Sequence, residues 1–136
     1  MFNFDEARYL RIQSGAVALA ESIDLAVQGL LADGADCVFF LGTGGAGILM
    51  QPAFELLSAR SSLAAYLALP AEIALTGHSR LGPSSIVVIP SLSGTTRESI
   101  AALEFCKGRG ARTCFAQVPY MSRFSFCVEA HDWSRI

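Results

Sequence analysis

Four hydroxyls and a glycine crowd into the run Ser91-Leu92-Ser93-Gly94-Thr95-Thr96, directly ahead of a segment with helical spacing. Backbone N–H groups at a helix N-terminus lack partners within the helix, and the helix dipole favours an anion there by about 0.3–1 kcal/mol. Hydroxyls complete such a cradle without adding charge, so the run reads as an anion site suited to a phosphate. Helix capping by Thr95 and turns at the serines account for part of this pattern, but not for all four hydroxyls together. A second unusual run, Gly42-Thr43-Gly44-Gly45-Ala46-Gly47, fits G-x-G-x-x-G between a strand and a helix. Its glycines read as backbone that must approach a ligand closely. A dinucleotide site also wants an acidic side chain at the end of the following strand, where Tyr66-Leu67-Ala68-Leu69 offers none. A nicotinamide cofactor is therefore the third choice of ligand, no cofactor is expected, and the absence of G-K-[ST] excludes a nucleotide P-loop.

Groups able to move protons are few. Glu72 and His78 fall in an irregular connection, where functional residues and merely solvated ones both occur. Glu98 is the carboxylate nearest the hydroxyl run, yet Thr95-Thr96-Arg97-Glu98 also fits a capping box that would give it a structural role. Arg80 and Arg97 are the cations available to a phosphate, although Arg97 in a first helical turn can equally face solvent. Lys107, the only lysine, falls at a helix C-terminus, which disfavours Schiff-base chemistry. Two histidines and four cysteines without a C-x-x-C pair give no metal-ligand spacing, so no metal is expected. Glu129 and His131 lie in a tail that supports no argument.

These loops need a scaffold, and the periodicity supplies one. Ile12, Ala16, Leu19, Ile23, Ala26 and Leu30 line one face of a long helix from about residue 5 to 32, capped by Asn3 with Glu6 and stopped at Asp33-Gly34. It either packs across a partner or covers its own sheet. From residue 37 short apolar runs bounded by glycine and serine predict strands at 37–41, 63–69, 86–90 and 113–118, buried on both faces. Helices are predicted at 49–60, where Pro52 must lie in the first turn, and at 96–109, ended by Gly110. Residues 70–80 form an irregular or short helical connection, and 119–136 have no assignable element. Strands alternating with helices make an open α/β/α sandwich with a parallel sheet. With a strand order of 2-1-3-4, the two unusual loops leave adjacent strands at the point where the order reverses.

Composition narrows the function further. With 136 residues, 52% hydrophobic and 16% charged, the chain is one globular domain able to bury a core. A net charge of −2 lacks the basic excess that nucleic acid or an anionic membrane surface requires. The uncharged stretch Cys37 to Phe54 is broken by glycines and does not read as a membrane span. Cysteines without a framework and no signal peptide indicate reduced thiols and a cytoplasmic location. The high apolar fraction points to faces covered by other chains or by missing segments, and a homo-oligomer such as a dimer is expected.

The strand, Gly42-Thr43-Gly44-Gly45, the second strand and then Ile89-Pro90-Ser91-Leu92-Ser93-Gly94-Thr95-Thr96-Arg97-Glu98 together resemble the sugar isomerase (SIS) domain family over roughly residues 5 to 118. The resemblance implies a sugar-phosphate ligand, with Ser91, Ser93 and Thr96 among the phosphate-binding hydroxyls alongside Gly94 and Thr95. It also implies that Gly42, Thr43, Gly44 and Gly45 line the sugar side. The connection at Ala71-Glu72-Ile73 is similar to that of the glucosamine-6-phosphate synthase and fructosamine-6-phosphate deglycase branches. Two positions depart from those branches: Ala46 stands where many deglycases have serine, and Leu92 where synthases have glutamine. Relatives there carry two such domains with the catalytic glutamate and histidine in the second, so the chain is expected to be the N-terminal half of such a phosphosugar isomerase or deglycase. The alternative is a non-catalytic sugar-phosphate sensor, as in SIS-containing transcription regulators, whose helix-turn-helix has no room before residue 37.

Overall fold

In the computed structural model, residues 5–91, 95–117 and 125–128 are described. The apolar runs form strands β1 (Cys37–Leu41), β2 (Ala64–Ala68), β3 (Ser85–Ser91) and β4 (Arg112–Gln117), joined by a short β5 (Ser125–Val128). Their order is β2-β1-β3-β4-β5. The first four run parallel and β5 pairs antiparallel with β4. The helices are α1 (Glu6–Ala18), α2 (Ala20–Ala32), α3 (Gly45–Arg60), α4 (Pro70–Thr76) and α5 (Arg97–Gly108). This is the expected open α/β sandwich with reversal between β1 and β3; the antiparallel β5 falls in the tail that had no predicted element.

Side chains alternate across the sheet, and both faces are apolar. Cys37, Phe39, Leu41, Val87 and Ile89 pack with Ile73 of α4 and with Ala102, Leu103 and Cys106 of α5. Val38, Phe40 and Ile86 belong to the other face, against Met50, Phe54 and Leu57 of α3 and Leu30 of α2. Burial from two sides explains why β1 and β3 read as continuous apolar runs. Between α2, α3 and the sheet lies an apolar groove of about 720 Å³, lined among others by Ile23, Val27, Val38, Phe40 and Ile86. Arg112 of β4 fastens the end of α2 over this face, its Nη1 donating to the Leu30 carbonyl at 2.7 Å and its Nη2 to that of Asp33 at 2.8 Å.

Three helix boundaries correct the sequence reading. The single N-terminal helix is two segments parted at Leu19, whose carbonyl accepts from both Ile23 N–H and the Ser22 hydroxyl at 2.9 Å. Its stop is as expected: Gly34 takes a φ of +87°, and Gly34 and Ala35 donate back to Leu31 and Leu30. The expected cap at Asn3 lies outside the described residues. By length and composition Tyr9–Ala32 is apolar enough to cross a membrane, a test that buried core helices and N-terminal signal sequences also pass. Helix α3 starts at Gly45 rather than near 49, which puts Pro52 inside it. The ring removes one hydrogen bond on an exposed flank beside Ile48, so the helix continues there. At α5 the cap is Thr96, one residue later than the box required, and it makes no side-chain capping bond. Glu98 is then the second helical residue and Ser99 the third, which breaks the T-x-x-E register.

Candidate functional site

Because β1 and β3 are parallel neighbours, the β1–α3 and β3–α5 loops emerge at the same edge of the sheet, where strand order reverses. The glycines of the first loop serve separate ends. A Cβ on Gly42 would lie 2.6 Å from the backbone N of Gly47, and one on Gly47 would lie 2.8 Å from the Gly42 carbonyl oxygen. This pair therefore lets the end of β1 meet the first turn of α3 backbone to backbone. Gly44, the N-cap of α3, has φ +56° and ψ −127°, a conformation that L side chains rarely adopt. Only Gly45, with open space where a Cβ would be, keeps the loop low without a packing or conformational reason. The expectation that the glycines serve ligand approach is thus narrowed: Gly42 and Gly47 are accounted for by strand–helix contact.

Helices α3 and α5 both begin at this edge; the N-cap of α3 is a glycine, and Thr96, the N-cap of α5, makes no side-chain capping bond. Thr43, Gly45, Thr95 and Thr96 are exposed, whereas Ser91 at the end of β3 is 7% exposed. Leu92, Ser93 and Gly94 lie outside the described residues. Two bundles of helix-terminal N–H groups with hydroxyls beside them form a surface that an anion can bind.

A cleft of about 300 Å³ opens beside the glycine loop, lined by Gly42, Gly44, Gly47, Ile48, Gln51, Leu67, Ala68, Leu69 and Glu72. Gly42 N–H donates to the Ala68 carbonyl at 3.3 Å, closing its floor onto β2. Glu72, from the first turn of α4, supplies a carboxylate just past β2, where residues 66–69 held none. Gln51 was missed by sequence reading. Its spacing of four from Gly47 on one helix face was the available signal.

The other candidates are taken elsewhere. His78 packs edge-on to Phe39 and against Tyr66, at centroid distances of 5.0 and 4.6 Å, and its Nδ1 accepts from Arg80 N–H at 3.1 Å. Phe39 sits three residues before Gly42, roughly 10 Å down the strand, so His78 is a packing residue away from the cleft. Arg80 pairs with Asp36 at 3.2 Å, at the start of β1 and thus the opposite edge, which removes it as a phosphate ligand. Asp36 also holds the Arg80 guanidinium pKa above its ordinary value. Arg97 and Glu98 are exposed in the first turn of α5. Burial raises the thiol pKa of Cys37 and lifts that of Cys106 to about 11, so neither is a thiolate at neutral pH. Among the described residues no group of three or more His, Cys, Asp or Glu could hold a metal.

The fold is an open α/β domain with two helix N-termini at the reversal point and a largely apolar cleft on the neighbouring β1–β2 side, and the comparisons say what it is similar to. No family model matches the chain. Over 102 residues it is 30% identical to the fructosamine deglycase FrlB of Bacillus subtilis strain 168, an alignment that covers 72% of this chain and 31% of the deglycase. A Salmonella typhimurium LT2 structure assigned as a phosphosugar isomerase superposes with a TM-score of 0.66 at 26% identity, over 70% of this chain and 29% of that one. A Bacillus subtilis structure of the same assignment gives 0.60 at 26%, over 79% and 36%. These similarities agree with the resemblance to the sugar isomerase (SIS) domain family and support a sugar-phosphate-isomerase-like domain. It spans about a third of the length of these relatives.

Proposed function

We propose that this chain is the phosphosugar-binding domain of a cytoplasmic sugar-phosphate isomerase or fructosamine-phosphate deglycase, the N-terminal half of a two-domain protein that works as an oligomer. The phosphate is held at the β3–α5 loop by Ser91, Ser93, Gly94, Thr95 and Thr96, and the sugar lies along Gly42 to Gly45. The observation that carries this reading is the pairing of two helix N-termini, with N-caps Gly44 and Thr96, that follow adjacent strands at the reversal point. A phosphate spanning them is met by N–H groups from both helices, and the dipoles add in sign. Aldose–ketose isomerisation and deglycation both require a base at a carbon next to a carbonyl or imine. Exposed Glu98 and packed His78 are poorly placed for it, so the proton-transfer groups belong to the remainder of the longer protein.

Thermal unfolding with sugar 6-phosphates, inorganic phosphate and NAD tests this. A sugar phosphate at a hundred times its Kd should add about 2.7 kcal/mol, roughly 9 °C in Tm for a domain of this size. Ser93→Ala should abolish the shift. A folded chain that ignores the phosphates, or responds to NAD alone, would refute the proposal.

A further inference from the structure

Among the described residues four hydroxyls are buried, those of Ser85, Ser91, Ser99 and Thr113. Ser85 is satisfied twice by Gly82, accepting from its N–H at 3.0 Å and donating to its carbonyl at 2.6 Å, and Ser91 also has a partner. The hydroxyls of Ser99 and Thr113 have none among the described residues. A buried polar group without a partner opposes folding, so each such group asks for a reason.

The two differ in place. Thr113 sits within β4 opposite Val87, four residues or about 13 Å along the sheet from the level of Ser91. Ser99, 6% exposed, is the third residue of α5 and continues the face of Ala102, Leu103 and Cys106 that packs on the sheet. Ser91 lies on the same side of the sheet, two residues beyond Ile89. The Ser99 hydroxyl is therefore on the sheet side of the α5 N-terminus, in the same turn as the N–H groups that have no partner within the helix. Helix propensity favours alanine there, and alanine would leave no polar atom unsatisfied, so local structure does not call for a serine.

We infer that the Ser99 hydroxyl is a further donor to the phosphate at the β3–α5 loop, left without a partner until the anion arrives. The inference rests on the phosphate lying at that loop, as proposed above. A hydroxyl has one proton to donate, and a phosphate oxygen on the sheet side of the first turn accepts it beside the helix N–H groups. Binding then relieves a cost that folding incurs, and a hydrogen bond to a charged oxygen is about twice as strong as one between neutral groups.

Calorimetric titration of the purified 136-residue chain with inorganic phosphate and glucose 6-phosphate, paired with urea unfolding in the absence of ligand, tests this. Ser99→Ala should weaken both ligands about tenfold, equivalent to about 1.4 kcal/mol, without lowering the unfolding midpoint. Ser99→Cys keeps the shape but donates weakly, and should weaken both ligands in the same way. Thr113→Val removes the other unpartnered hydroxyl and should leave both affinities unchanged. Wild-type affinity in Ser99→Ala and Ser99→Cys, or equal weakening by Thr113→Val, overturns the role of Ser99 and leaves the phosphate site standing. Failure of both ligands to bind the folded wild-type chain overturns both readings.

Discussion

The two faces of the sheet are built from the same strands but finished differently. On the α4–α5 side Phe39, Leu41, Val87 and Ile89 are all at 0% exposure, sealed by Ile73, Leu103 and Cys106. On the α2–α3 side Val38 and Phe40 keep 5% and 7%, and a groove of about 720 Å³ runs beside them. The difference teaches that the closed face sets stability, while the open face depends on what holds α2 in place.

Neighbouring phenylalanines on opposite faces give the largest contrast. Phe39→Ala should cost about 3–5 kcal/mol in urea unfolding, because it leaves an enclosed cavity and strips Tyr66 and His78 of their ring partner. Phe40→Ala, beside a groove that is already open, should cost only about 2 kcal/mol, since the cavity contribution is largely absent. Equal losses would break the comparison.

A second test reads the closed face by pH. The Cys106 thiol is held at about 11 against an ordinary 9.0 by burial. The unfolded chain therefore gives up its proton first as pH rises. This contribution is fully present below about pH 9 and is lost progressively up to about pH 11, a decline on the order of 2–3 kcal/mol. Cys106→Ala should flatten the decline, and a curve unchanged by the substitution would show that this thiol is not sealed.

The smallest effect concerns the strap on the open face. Arg112→Ala removes two bonds to the end of α2 and should cost about 1 kcal/mol. Amide exchange should accelerate in α2 but not in α5; uniform acceleration would mean that α2 is held by its packing instead.

Much of this architecture was legible in the residues. Continuous apolar runs located β1 to β4, and burial on both sides explains this for β1 and β3, whereas the edge strand β2 is only half-buried with Leu67 exposed; Gly34 and Gly110 marked helix ends through their positive φ. The start of α3 was misread because Pro52 looked like a first-turn residue, and local propensity does not register that an exposed flank tolerates one missing bond. The capping box misled for a related reason: T-x-x-E matched one residue early, whereas Thr96 takes the N-cap position. At the candidate site, adjacency of the two loops followed from strand order alone. The company of Glu72 did not, because it depends on how α4 folds back beyond β2, and neither did the loss of His78 and Arg80 to packing and pairing at a distance.

The contact between Gly42 and Gly47 has a consequence for how this domain can diversify. With no side chain between strand and helix, there is no rotamer to adjust and no methyl to trade, so the loop is a fixed datum for any ligand at the proposed site. New preferences must then be written in residues that approach that datum from outside, such as Gln51, Leu69 and Glu72. The floor of the site stays constant while its walls are free to vary.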